Sequence, residues 1–246
     1  MNRDQLHDYL SFYRDLGVKE IYKRPRKSAP VATPTTKIEA AAIVPPSIAL
    51  PSIQPANDSL LKIIEDLGDC KRCRLSEGRN KIVFGSGNER AKLVFVGEGP
   101  GADEDAQGFP FVGRAGQLLT QMIENTASKE GIPIKRADVY ICNVVKCRPP
   151  ENRTPLPDEM EICGEFLFRQ LMTIQPKAIC ALGSTAAKAL LATKDGVTKL
   201  RGKWHKWRDI PLIVTFHPSY LLRPYNQDAK REAWEDLKKA LHFVYD

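Results

Sequence analysis

Between Asp58 and Asp246 the chain alternates short apolar runs with longer stretches whose apolar residues recur at helical spacing. No other feature limits the available folds as much. The runs Lys92–Gly97, Val139–Val145, Ala178–Leu182 and Leu212–Phe216 read as strands, and Ser59–Leu67, Ala115–Lys129, Asp158–Thr173, Ser184–Leu191 and Asp228–Val244 as helices. Strands separated by a helix join as parallel neighbours, because the crossover carries the chain back to the starting edge of the sheet. The expectation is an α/β protein: a three-layer α/β/α sandwich with a central four-stranded parallel sheet, preceded by an N-terminal helix and a Pro-rich linker. Ligands of such sheets bind at the carboxyl ends of the strands. Distinctive motifs follow Val96, Val145 and Phe216, so three separate segments are expected to converge on one rim.

The first 57 residues read differently. Leu6, Tyr9, Leu10, Tyr13, Leu16 and Val18 recur at helical spacing, which predicts an amphipathic helix within residues 1–27. Its apolar stripe needs a cover, either the body of the protein or a partner, and a docking segment for a partner protein is the expectation. Residues 28–57 carry six prolines among Ala, Ser, Thr and Val with no steady period, the pattern of a semi-extended linker. Residues 58–246 form the globular domain, and a 246-residue chain with 42% hydrophobic content suffices for one packed core. No apolar run approaches the roughly 18 residues of a membrane span. The N-terminus enters a charged pattern rather than an apolar signal region, which points to the cytoplasm. A net charge of +7 and a pI near 9.1 favour an acidic partner such as nucleic acid. The protein is expected to act as a monomer.

In a reducing compartment the six cysteines read as metal ligands or core residues, not as a disulfide framework. Cys70-Lys71-Arg72-Cys73 is a CxxC pair, and Cys147 and Cys163 lie further on, with fifteen residues between them. Four such thiolates can hold a [4Fe–4S] cluster or a zinc ion. Unliganded core thiols are the alternative, and for Cys142 and Cys180, inside predicted strands, core packing is the reading.

Gly97-Glu98-Gly99-Pro100-Gly101 directly follows the first predicted strand. Its glycines permit a tight turn with backbone N–H groups close to a ligand, but it is neither a dinucleotide fingerprint nor a phosphate-binding P-loop. Phe109 and Phe111 follow on a Gly/Pro-rich loop, placed to stack on a flat base; Phe109 could instead tuck the loop under. Asn143 puts an amide inside an apolar strand, where it must find partners. Such an amide can accept from N3–H and donate to O4 of uracil, or be satisfied by local backbone. His217, after the last strand and before Pro218, is placed to stabilise charge on a departing base. Ser219 can hold a DNA phosphate, Tyr220, Leu221 and Leu222 can wedge into a gap in the stack, and Arg223 can grip the backbone. The alternative is a helix start with a buried leucine pair. Between Lys194 and Arg208, six basic residues, Arg201 and Lys203 among them, interleave with Trp204 and Trp207. This suits a nucleic-acid surface, or equally an exposed β-ribbon whose tryptophans cover the core edge.

Taken in order, GEGPGADED…GFPFVGRAGQLL, ICNVVKCRPPENRTP…C and TFHPSYLLR, with the CxxC upstream, resemble the family-four uracil-DNA glycosylases of bacteria and archaea, from about Asp58 to the C-terminus. The resemblance implies a glycosylase that hydrolyses the N-glycosidic bond of uracil in DNA and leaves an abasic site. It implies a [4Fe–4S] cluster on Cys70, Cys73, Cys147 and Cys163. It further implies that Glu98 and the Gly99-Pro100 backbone contact uracil, that Phe111 stacks on it, that Asn143 reads its edge and that His217 stabilises the leaving base. Gly99 stands where the family often has Ala, a departure expected to be tolerated because both are small. A related branch traps uracil covalently through a histidine on a basic insertion before the third cysteine. Tyr140 to Cys147 has no such insertion, so turnover is expected. The rival readings are a uracil trap and a non-catalytic iron–sulfur DNA-binding module.

Overall fold

A computed structural model of the chain describes Pro55, residues 57–223 and residues 226–246. The predicted N-terminal helix, and the linker apart from Pro55 and Asn57, lie outside the described residues. The elements in chain order are α1 (Leu60–Leu67), β1 (Ser86–Gly87), β2 (Leu93–Gly97), α2 (Ala102–Gln107), α3 (Arg114–Lys129), β3 (Tyr140–Asn143), α4 (Pro157–Ile174), β4 (Ala178–Leu182), α5 (Ser184–Leu191), α6 (Val197–Leu200), β5 (Trp204–Trp207), β6 (Ile210–Thr215), α7 (Pro218–Leu221) and α8 (Gln227–Tyr245).

Every residue of β2, β3 and β4 is buried, as expected of parallel strands covered on both faces. Their side chains alternate between two cores. Val94, Val96, Cys142, Ile179, Ala181, Leu212 and Val214 pack with residues of α1, α4 and α5. Leu93, Phe95, Ile141, Cys180, Leu182 and Ile213 pack with residues of α3 and α8. These are the three layers of the expected sandwich. Local signals start the helices where the sequence places them. The Ser59 side chain accepts from the Lys62 N–H at 3.2 Å to cap α1, and Pro157 followed by Asp158 and Glu159 opens α4.

The sheet has six strands in the order β1-β3-β2-β4-β6-β5, not four. The central four are parallel, and β1 and β5 add antiparallel edges. The two-residue β1 is too short to carry a period. Strand β5 realises the ribbon alternative: Trp207 is buried and Trp204 is 40% exposed, its ring 4.5 Å from that of Phe243. The short helices α2, α6 and α7 were likewise beyond reach of periodicity. Strand register places the rim. Gly97 lies opposite Asn143, Val96 opposite Ala181 and Leu182 opposite Thr215, so four strand ends come together there.

Candidate active site

A cavity of about 330 Å³ opens at this rim, lined by Glu98, Gly99, Pro100, Phe111, Asn143, His217 and Ser219 together with Gly101, Glu104, Ala115, Asn152 and Arg153. Asn143, the last residue of β3, is 1% exposed, and its Oδ1 is buried without a hydrogen-bond partner among the described residues. Beyond the strand ends, pairing continues from Val144 N–H to Gly97 O (3.0 Å) and from Val145 N–H to Glu98 O (3.2 Å). This holds the glycine-rich loop against the amide. Phe111 is 7% exposed and adopts the left-handed region with φ 55°. A Cβ at Gly97 would overlap Asn143 Oδ1 and lie 2.6 Å from Phe111 Cζ, so only glycine lets amide and ring close together. At Gly99 a Cβ would lie 2.7 Å from Val145 Cγ2. The exchange with Ala is therefore not free here, because the stiff valine would have to move.

Glu104, on α2, organises the loop that carries Phe111. Its Oε1 accepts from the N–H groups of Val112 and Gly113, both at 2.9 Å, and its Oε2 from that of Gly101 at 3.1 Å. Arg136 adds a bond to Pro110 O at 2.7 Å. Glu98 accepts at Oε2 from the Thr185 hydroxyl of α5. Asn152 and Arg153 close another wall, where Glu151 and Asn152 both have positive φ. Arg153 is held in a bidentate pair by the buried Glu159, at 2.7 and 2.8 Å.

His217 caps α7, and its Nδ1 accepts from the Ser219 N–H at 3.2 Å and lies 2.7 Å from Ser219 Oγ. The ring keeps some surface open to the cavity, but protein surrounds it. That burial lowers its pKa to about 4, against a smaller opposing pull from Glu104. The imidazole is therefore neutral near pH 7. With Nδ1 accepting from backbone, its proton resides on Nε2.

The four candidate ligands gather on the opposite side of β3 from Phe111: Cys147 and Cys163 are buried in the core beneath α1, α4 and α5, with Cys70 and Cys73 packed against it. They are close enough for the charge of one to raise the pKa of the next. Among the described residues no three His, Cys, Asp or Glu side chains converge as tightly as a single ion requires. Two cations attend the thiols. Arg79 donates to Cys147 Sγ at 3.4 Å and to Cys70 O at 2.6 Å. Lys146 is fully buried, its N–H donates to Cys163 Sγ at 3.2 Å, and its Nζ donates to Asn143 O (2.8 Å) and Gln170 Oε1 (2.6 Å). No carboxylate is paired with its ammonium among the described residues.

Two candidate DNA contacts need correction. Leu221 is 1% exposed and packs with Ala229 and Ala233, so it anchors α7 rather than standing ready as a wedge; Tyr220 is the exposed neighbour, at 39%. Arg201 binds Asp236 through Nε (3.0 Å) and Nη2 (2.8 Å) and stacks over Phe216, which commits it to fixing α8 against the end of β6. Ser219 lines the cavity but shares its hydroxyl with His217. Lys203 and Arg223 are exposed outside the cavity lining, as is Phe109, at 57%. The loop ring that tucks under is thus Phe111, not Phe109 as the sequence suggested. Sequence reasoning missed Glu104, Arg153 and Thr185. The last had a signal, since Gly183-Ser184-Thr185 follows the fourth strand end as the other motifs follow theirs.

The cavity lies at the carboxyl rim of the four parallel strands, where ligands of such sheets bind, and comparison with known proteins identifies the family. Residues 84–238 match the model of the uracil DNA glycosylase superfamily. A type-4 uracil-DNA glycosylase of Thermotoga maritima is 46% identical over 76% of this chain and 96% of its own length. One from Archaeoglobus fulgidus is 41% identical over 74% and 92%. A type-5 enzyme of Pyrobaculum aerophilum is 29% identical over 63% and 71%. The chain belongs to the uracil DNA glycosylase superfamily and, within it, to the type-4 family.

Proposed function

We propose that this protein excises uracil from DNA by hydrolysis, the first step of base excision repair. The observation that carries this reading is the buried, unpartnered Oδ1 of Asn143 beside the Phe111 ring. An orphaned acceptor at the wall of a cavity calls for a ligand donor, and uracil N3–H supplies one. The same amide donates to O4, whereas cytosine presents an acceptor at N3 and an amino group at C4. The target nucleotide is flipped at a cost of a few kcal/mol, and its base lies against Phe111. As the glycosidic bond breaks, charge grows on uracil O2, and the Nε2–H of neutral His217 donates to it. Glu98 meets the cationic sugar or orients the water that adds to it. Among the cavity-lining residues there is no lysine, and Lys146 Nζ is engaged beneath Asn143, so no amine is placed to form an imine with the sugar.

Cys70, Cys73, Cys147 and Cys163 are proposed to hold a [4Fe–4S] cluster. Burial lowers the pKa of the Lys146 amine while charge on the nearby Cys142 and Cys163 thiols raises it, so thiolates ligating a cluster would favour its ammonium, and Arg79 donates to Cys147 Sγ from the other side. When bound, the cluster would cross-link the three segments that carry its ligands.

Exposed Lys203, Arg223 and Phe109 are proposed to face DNA, and residues 4–22 to dock a repair or replication partner. The protein is proposed to work as a cytoplasmic monomer. The described helices include none long and apolar enough to cross a membrane. Incubation with oligonucleotides carrying uracil, thymine, hypoxanthine or cytosine tests the reading. Free uracil and an abasic site are expected from the first, and a protein–DNA adduct on a denaturing gel would replace turnover with trapping. No product at all would sink the proposal.

A further inference from the structure

Two carboxylates line the cavity, and they are not equivalent. Glu104 has both oxygens occupied by backbone N–H groups of Gly101, Val112 and Gly113. Glu98 has Oε2 bound to the Thr185 hydroxyl, and no described group donates to its Oε1. Glu98 is therefore the lining carboxylate with an oxygen left for water or the sugar. The partner that holds it comes from a different strand end. Because β4 pairs with β2 in parallel, with Val96 opposite Ala181, the turn after Leu182 runs beside the loop after Gly97. Thr185 is the second residue of α5 and is 6% exposed, so its hydroxyl needs a protein partner. A helical threonine commonly bonds a carbonyl one turn back; this one donates to Glu98 instead. The same turn packs under the second catalytic candidate, since a Cβ at Gly183 would lie 3.0 Å from His217 Cβ. The positive end of α5 further favours a carboxylate at this place.

We propose that Thr185 is the positioning residue of the site: its hydroxyl fixes one oxygen of Glu98, so that the other is presented to the water or to the cationic sugar. The proposal rests on the uracil-excision reading above. A flexible glutamate at the same position would sample several rotamers and meet the reacting atoms only part of the time.

The test is single-turnover and steady-state uracil release by the full chain as wild type, T185V, T185S, E98A and the double variant E98A/T185V. Melting temperatures are recorded for each, and T185A serves as a second replacement in case T185V does not fold. Loss of a hydrogen bond to a charged group should lower kcat of T185V by about 10–100-fold, with KM changed less than about threefold. T185S should recover most of that loss. The double variant should be no slower than E98A alone, because Thr185 acts only through Glu98. A wild-type rate in T185V, equal loss in T185S, or multiplying effects of the two substitutions would overturn the proposal while leaving the excision reading intact. An inactive wild-type protein would sink both.

Discussion

At Asn143 one atom, Oδ1, connects folding to recognition. It has no protein donor among the described residues, and a base presenting N3–H completes its hydrogen bonding. Asn143→Ala removes that acceptor, and the expected result is excision slower by about 10²–10⁴-fold with little change in melting temperature. A wild-type rate would remove its role. His217 makes a different prediction, in pH. With its pKa lowered from 6.5 to about 4, the unfolded chain binds more protons between those values. This residue's contribution to stability therefore rises as pH climbs from about 4 to 6.5 and is level above. The neutral form is the donor, so single-turnover rates should stay flat between about pH 7.5 and about pH 5.5, with no step near 6.5 from this group. A rate that falls tenfold per unit below pH 6.5, and loses that limb in His217→Ala, would show the imidazole titrating normally.

At the scale of elements, the cavity is made by loops tied to one another rather than by any one strand. Glu104 is the knot. It gathers Gly101 from the first rim loop with Val112 and Gly113 from the second, and between them lies Phe111 in a left-handed conformation. Glu104→Ala leaves three N–H groups without their acceptor and frees the Phe111 loop. Stability is expected to fall by about 2–4 kcal/mol and KM to rise more than kcat falls, read from denaturant unfolding and steady-state kinetics. In the sequence, Glu104 was one acid in a run of three and nothing marked it, because its three partners come together only when the loops fold. The helices α3 and α8 and the four parallel strands, by contrast, could be placed within a few residues, since each repeats its period long enough to be read.

At the scale of the whole molecule, ion pairs on α4 link the thiol group to one wall of the cavity. Cys147 precedes the segment that supplies Asn152 and Arg153, and Arg153 is fixed by Glu159, one turn before Cys163 on α4. Arg74, next to Cys73, reaches the same helix through Asp158 at 2.6 Å. With the cluster in place as proposed, the purified protein should carry iron and sulfide and show visible absorption. Stripping the iron should lower the melting temperature and weaken binding to uracil-containing DNA, because the Arg153 wall loosens with it. Iron-free protein of unchanged stability and affinity would contradict a structural cluster.

The amino-acid sequence by itself determined the layers, the four parallel strands and which of their ends would matter, because period and turn chemistry are local properties. It also ordered Glu98, Phe111, Asn143 and His217 along the chain, and the structure sets all four on one cavity. Only the tertiary structure decided which groups are free. Leu221 and Arg201 looked available and are committed to the interior, while Thr185 and Glu104 looked ordinary and hold the site. The physical reason is that a side chain's partner is fixed by strand register and loop contact between segments far apart in sequence, and no periodicity within a segment records it.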